Sequence, residues 1–423
     1  MSKRYISAIA TASVFVVALA GCTSSTQPAA EGGEQVIKVW SWQTTQADQW
    51  DLVFDAFEKE NPGVTVEFTG YPGTEYPTVL ATGLSATKGP DIAMLHPYSA
   101  MHNYVAAEQL VAIDDTIVPD LASSFTDEAL GASRVDDVQY GVPFAQQAIV
   151  IYYDKGLFAE LGVEPPASID DWEPLLETIS ASGVVPIAIS GKDASGLPMP
   201  FDALVGNTYG GANFIAKAQE GDVDWDNKNF IAALDEFKAL STYFPEQVGG
   251  VAATDALAML ASGDAAMYAA GSWDLSPLRD LAPDKDYGVF TLPAPGQESE
   301  ANPVWGYEEG SFAMSARADN PDGAEKLLAW MATPEFGQLF TDTLNQPSSV
   351  IGVTGSDPLL QEIIEMYQAN PVPMIWVTDY FGVTAPAPYA ALMNGAQALL
   401  LGASDSAAVA ADIQANVVEW EAR

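Results

Sequence analysis

Trp40 and Trp42 stand two residues apart at the end of an alternating apolar segment, and His96 and Tyr98 stand two apart just past another. Trp273 follows a third, behind Gly271-Ser272. An aromatic ring offers a face to C–H groups or to a cation, and imidazole and phenol groups add hydrogen bonds at a ligand's rim. These groups suit holding a ligand. Turnover would need more: no Ser/His/Asp order or zinc motif occurs, and Gly191-Lys192-Asp193 lacks the upstream Gly and following Ser or Thr of a phosphate loop. A secreted glycoside hydrolase would need two carboxylates at a defined separation, and 57 Asp plus Glu make a chance pair easy to find.

The elements that must position these residues are legible from periodicity. Val36 to Trp42 alternates as a strand does, Ala47 to Lys59 carries Trp50, Phe54 and Phe57 on a helical stripe, and Asn61-Pro62-Gly63 stops it. Val64 to Phe68 is strand-like, Val79 to Ala86 helical, and Asp91 to Leu95 a short strand opened by Gly89-Pro90. A β-α-β-α-β order implies a mostly parallel sheet with helices on its faces, and ligands bind outside the carboxyl ends of such strands. Trp40 and Trp42 share a strand face, and Trp42, nearer the end, is the better candidate. Further strands are expected at Ala148 to Tyr153, Pro186 to Ser190, Ala265 to Ala269 and Tyr287 to Thr291, so two α/β lobes fit the length. No fixed-period repeat suggests a solenoid.

Composition narrows the partners. The chain has 423 residues, 48% hydrophobic, with 16 Lys plus Arg and a formal net charge of −41. Nucleic acid and anionic membrane surfaces would repel it. One Cys and two His leave neither an internal disulfide nor a Cys/His zinc site, and nothing calls for a cofactor.

The single Cys has another use. Lys3 and Arg4 precede an apolar stretch from Tyr5 to Ala20, and Leu19-Ala20-Gly21-Cys22 follows the pattern of a bacterial lipobox. Residues 1–21 are then a signal peptide, Cys22 the lipid-bearing first residue, and 22–35, rich in Ser, Thr, Ala and Gly, a tether. The expected location is extracytoplasmic, anchored to the cell membrane at Cys22.

Between these landmarks the chain resembles the bacterial extracellular solute-binding proteins of family 1, the sugar-binding group with the maltose-binding proteins among them. The resemblance covers most of the mature chain and is carried by pieces in family order: VWSWQ at Val39 to Gln43, FEKENPGVTVEF at Phe57 to Phe68, GPDIAML at Gly89 to Leu95, and YGVPFAQQAIVIYYDKGLFAELG at Tyr140 to Gly162. SGDAAMYAAGSWDL at Ser262 to Leu275, YGVFTLPAPG at Tyr287 to Gly296 and GAEKLLAWMATPEFG at Gly323 to Gly337 follow. It implies an α/β, two-lobe periplasmic-binding-protein-like fold of type II, with a ligand cleft between hinge-linked lobes. Lobe 1 would be 36–144 and 308–346, lobe 2 148–304 and 350–423, with crossings near 145–147, 305–307 and 347–349. It further implies a monomer, not an enzyme, that hands a carbohydrate to the permease subunits of an ABC importer.

The family's motifs also suggest roles. Trp273 matches a sugar-stacking Trp of the second lobe, and Tyr389 aligns with another stacking Trp, downstream of Trp376, Tyr380 and Phe381. Gln147 aligns with a ligand-binding carboxylate and Tyr98 with a hydrogen-bonding Asp, two departures that keep hydroxyl binding and lose charge. Trp42, Gln43, His96 and Gln146 complete the first-lobe side. Glu308 and Glu309 follow the second crossing, and because neighbouring strand residues point to opposite sides at most one faces the cleft; Glu308 is taken as the candidate, and which of the two faces the cleft stays open. Phe201 and Asp202 are weaker candidates on a loose alignment. An organic cation such as a polyamine stays open as the alternative ligand.

Cys22→Ala is expected to abolish acyl labelling and processing at Gly21-Cys22. A lipidated mutant, or wild type found in the cytoplasm with Met1 intact, would contradict this assignment.

Overall fold

The computed structural model describes residues 35–73, 75–296, 302–382 and 386–422, and the expected signal peptide, Cys22 and nearly all of the expected tether lie outside them. The first elements follow the apolar periodicity. Strand β1 (Gln35–Ser41) lies parallel to β2 (Val64–Gly70) and β3 (Ile92–Leu95). The helix Ala47–Glu60 between β1 and β2 buries Trp50, Val53, Phe54 and Phe57, the spacing of one helical stripe. Gly63, at φ +92°, turns the chain into β2 where a side chain would be strained. The next helix begins at Tyr76, three residues before the expected start, because Pro77 is pre-set for a first turn.

A short hairpin of β4 (Arg134–Val135) and β5 (Val138–Gln139) leads into β6 (Val142–Asp154), a strand of 13 residues. Sequence periodicity starts it only at Ala148, because Gln146-Gln147 interrupts the apolar run. The strand nonetheless continues back through both glutamines, whose side chains find partners on the neighbouring strand. Then come β7 (Val185–Ala188), β8 (Ala265–Gly271), β9 (Tyr287–Phe290), β10 (Val304–Met314) and β11 (Pro371–Pro373). Their sheet has the order β2-β1-β3-β10-β6-β8-β7, with β11 added to β10 and β9 to β6.

Two sets of cores flank this sheet. At one end Trp50 is the hub, with Phe54, Phe144, Phe312 and Phe340 ring centroids 5.4–5.9 Å away. Trp330 and Met331 pack into the same core. At the other end Phe201, Tyr209, Trp225, Phe230 and Trp376 interlock, Trp225 and Trp376 at 4.4 Å. The helices Pro388–Leu400 and Ser406–Glu421 close over this second core with Leu392, Ile413 and Val417. Each buried large side chain stabilises by roughly 1.5–3 kcal/mol, so each end has a core of its own. Among the described residues only β6 and β10 contribute to both: Val142, Phe144 and Phe312 to the first, Ile149, Ile151, Trp305 and Tyr307 to the second.

Phe201 and Asp202 are corrected here from ligand candidates to core residues, 0% and 1% exposed. Asp202 accepts from Tyr209 Oη (2.9 Å) and Trp376 Nε1 (3.2 Å), while its second oxygen is buried without a partner. Burial outweighs those two bonds and pushes the carboxyl up to about 7. The folded chain therefore holds this proton more tightly than the unfolded chain, and Asp202's contribution, full below about pH 4, is lost as pH rises through about 7. Asp202→Asn, which cannot ionise, is expected to gain on the order of 2–4 kcal/mol relative to wild type between pH 4 and pH 8. Urea unfolding at both pH values measures it, and an equal mutant-to-wild-type difference at both would contradict it.

Candidate functional site

Between the two core regions lies a cleft of about 330 Å³, lined by Trp42, Gln43 and Glu309 together with Trp273, Asp274 and Gln346. Trp42 reaches it from the residue following β1, its ring stacked on His96 at 3.9 Å and 24°. His96 continues the aromatic row to Phe381 at 5.4 Å. Desolvation among these rings pulls the imidazole down to about 4 despite its bond to the Glu309 carbonyl, so at neutral pH His96 is an uncharged spacer. Trp273 enters from the turn after β8. Its ring folds back so closely on Gly271 that a Cβ there would lie 2.0 Å from it, which explains the glycine.

Glu309 owes its position to an irregularity. In the β10–β6 ladder Glu308 pairs with Gln146 and Gly310 with Ala145, leaving Glu309 unpaired in a bulge that re-aims its side chain. Gln43 Nε2 donates to its carboxylate at 3.0 Å, and Gln147 Nε2 donates to the other oxygen. Gln147 also donates to Gln346 Oε1 (2.9 Å) and accepts from the Ser272 hydroxyl, beside Trp273. Gln43 in turn accepts from Trp50 Nε1 at 2.6 Å, tying the cleft to the hub of the first core. Burial raises the Glu309 carboxyl above the ordinary range against both amide donors, and raises Asp274, which accepts from Tyr268 Oη (2.8 Å), to about 6. No Lys or Arg among the described residues lines this cleft.

The sequence candidates divide accordingly. Trp42, Gln43 and Trp273 line the cleft. Gln147 is 0% exposed and positions Glu309 and Gln346 from behind. Glu308, chosen for the cleft, points away from it: it is 2% exposed, bonded to Gln146 (3.2 Å) and Ser349, and its neighbour Glu309 takes the cleft position. Gln146 shares that far side by strand alternation. Tyr98 is a structural residue here, with φ +59° and a hydroxyl accepting from the Glu308 amide at 3.2 Å. Tyr389 is 3% exposed, donates to the Ser195 carbonyl at 2.5 Å, and reaches the aromatic row only through Phe381, 5.1 Å away. Trp376 and Tyr380 belong to the core. Sequence reasoning passed over Asp274, Gln346 and the Thr44–Gln49 segment at the start of the Ala47–Glu60 helix. Asp274 directly follows Trp273 and could have been found from it; Gln346 carries no local signal.

The family model described as bacterial extracellular solute-binding protein matches residues 41–338. The chain belongs to this family. Among curated relatives, a maltodextrin-binding protein of Bacillus subtilis is 27% identical over 384 residues, 87% of each chain. A multiple sugar-binding protein of Streptococcus mutans is 24% identical over 345 residues, 80% of each. A chitin oligosaccharide binding protein superposes with a TM-score of 0.79 at 23% identity over 92% of this chain and all of the other. A raffinose complex of the solute-binding protein RafE gives 0.74 at 24% over 91% and 99%. The fold is thus the two-lobe α/β fold of the periplasmic binding proteins. No helix among the described residues is long and apolar enough to cross a membrane.

Proposed function

We propose that this solute-binding protein captures an oligosaccharide in the cleft and delivers it to the permease of an ABC importer while tethered to the membrane through lipid on Cys22. The observation that carries the reading is one cleft holding two tryptophans, Trp42 and Trp273, among polar groups and with no Lys or Arg among its described lining residues. Indole faces take the C–H patches of pyranose rings, and Gln43, Asp274 and Glu309 take hydroxyls. A cavity of this size falls in the range of small-molecule sites. The relatives named for multiple sugars, maltodextrin, chitin oligosaccharides and raffinose favour the same ligand class.

Capture in this reading proceeds by hinge closure between lobe 1 (36–144 and 308–346) and lobe 2 (148–304 and 350–423), about crossings at 145–147, 305–307 and 347–349. In this reading Gln147 and Glu309, bonded to each other beside the first two crossings, lie near the hinge, and ligand hydroxyls that add to the hydrogen bonding of Glu309 favour one relative position of the lobes. The carboxylates of Asp274 and Glu309, with no Lys or Arg among the described lining residues, also suit an organic cation, which ionic strength separates from a neutral sugar.

Trp273→Ala removes the larger part of one stacking face. Calorimetry with a panel of maltotriose, raffinose and chitobiose is expected to find one sugar that binds wild type and loses about 2–4 kcal/mol, roughly 30- to 1000-fold, in the mutant. The melting temperature should stay close to wild type, and the affinity should barely change with salt. Loss of folding in Trp273→Ala, or spermidine binding that weakens in salt while every sugar fails, would sink the carbohydrate reading.

A further inference from the structure

The strand pair that supplies the cleft also has a second face. Glu309 lines the cleft with Gln147 behind it, and Gln146 and Glu308 face the opposite side of the same two strands, so a glutamine-to-glutamate bond occurs on each side. On the far side the pair borders a second cavity, of about 310 Å³. Its apolar wall includes Ile363, Ile364 and Val353, and its polar wall includes Glu308 and Glu128. Tyr367, 4% exposed, stands at this wall with its hydroxyl buried and without a partner, near enough to both carboxylates to feel their charge. No Lys, Arg or His among the described residues lines the cavity.

A carboxyl closed in by apolar side chains is costly when ionised and lacks a countercharge. Gln146 and the Ser349 hydroxyl offset only part of that cost, and burial still pushes Glu308 up to about 8, with Glu128 adding like-charge repulsion. A ligand cation placed beside Glu308 would draw it into its ionised form and offset the repulsion from Glu128, and the hydrocarbon wall has the character to take an alkyl body. The cavity is thus furnished like a ligand site in miniature: apolar walls with a few convergent polar groups.

We propose that the cavity behind the β6–β10 pair binds a small alkylammonium ligand, its charged end between Glu308 and Glu128 and its hydrocarbon on Ile363, Ile364 and Val353. This site is separate from the sugar cleft and does not depend on the carbohydrate reading. Because Glu308 bonds both Gln146 and Ser349, the ligand would touch chain segments from β6, β10 and the 347–353 return.

Titration calorimetry of the full chain with n-butylammonium, against n-butanol as the neutral isostere, tests this at an ionic strength that screens surface carboxylates. The expected result is one saturable ammonium site at least about ten-fold tighter than the alcohol, weakened at least about ten-fold in Glu308→Gln. Ile364→Trp, which fills the cavity, should abolish it, and both variants are checked for unchanged melting. Trp273→Ala, altered only at the front cleft, should keep the ammonium site whether or not sugars bind. Equal binding of the two probes, only non-saturating uptake, an unchanged Glu308→Gln, or loss in Trp273→Ala would each overturn the proposal.

Discussion

One hydrogen-bonded chain organises the molecule. It runs from Trp50, at the hub of the first core, through Gln43 to the Glu309 carboxylate, on through Gln147 to Ser272 at the foot of the Trp273 turn. Every link is buried or nearly so, where an unsatisfied amide or carboxylate costs about 1–3 kcal/mol and an unpaired charge more. The chain can form only if β10 carries a bulge that swings Glu309 out of the ladder, and only if β6 passes unbroken from one core to the other. Glu309 keeps a raised affinity for protons because burial outweighs its two amide donors. In the proposed reading, hydroxyl donors from a ligand in the cleft would add to those amides and offset part of that burial, so one carboxylate would serve both the fold and the binding.

This arrangement also explains why aromatic residues crowd the cleft without all entering it. Trp42 is held by stacking on His96 and Trp273 by the space that Gly271 leaves, so two rings arrive with little freedom left to lose on binding. Phe381 and Tyr389 support that row from the second core. The low basicity of His96 keeps the row neutral across the physiological range, leaving carboxylates and amides as the polar vocabulary of the site.

Much of this was legible from the residues. The β-α-β-α-β start followed from period-2 and period-3.6 patterns at Val36 to Leu95, and the two indoles that line the cleft from Trp42 and Trp273 at strand ends. What escaped had physical causes. Periodicity reads Gln146-Gln147 as a break in β6, because it cannot see that each amide has a carboxylate opposite it. Strand alternation correctly limits Glu308 and Glu309 to one cleft residue, but the choice depends on a bulge that leaves no mark in local sequence. Tyr98 and Tyr389 are polar-tipped aromatics at suggestive positions, and both spend their hydroxyls on backbone groups instead. Gln346 is brought in by a segment nearly two hundred residues from Gln147, a long-range pairing visible only in three dimensions.

In the proposed reading the two lobes move about the β6–β10 pair when a sugar enters the cleft. Leu52 and Leu281 are 60% and 53% exposed on the two helices that flank the opening. Spin labels on Leu52→Cys and Leu281→Cys, in a chain also carrying Cys22→Ala, report the distance across it by pulsed electron paramagnetic resonance. Addition of a saturating oligosaccharide should narrow the distance distribution and shift it, with wild-type binding verified by calorimetry on the labelled protein. An unchanged distribution at proven saturation would contradict closure about this strand pair.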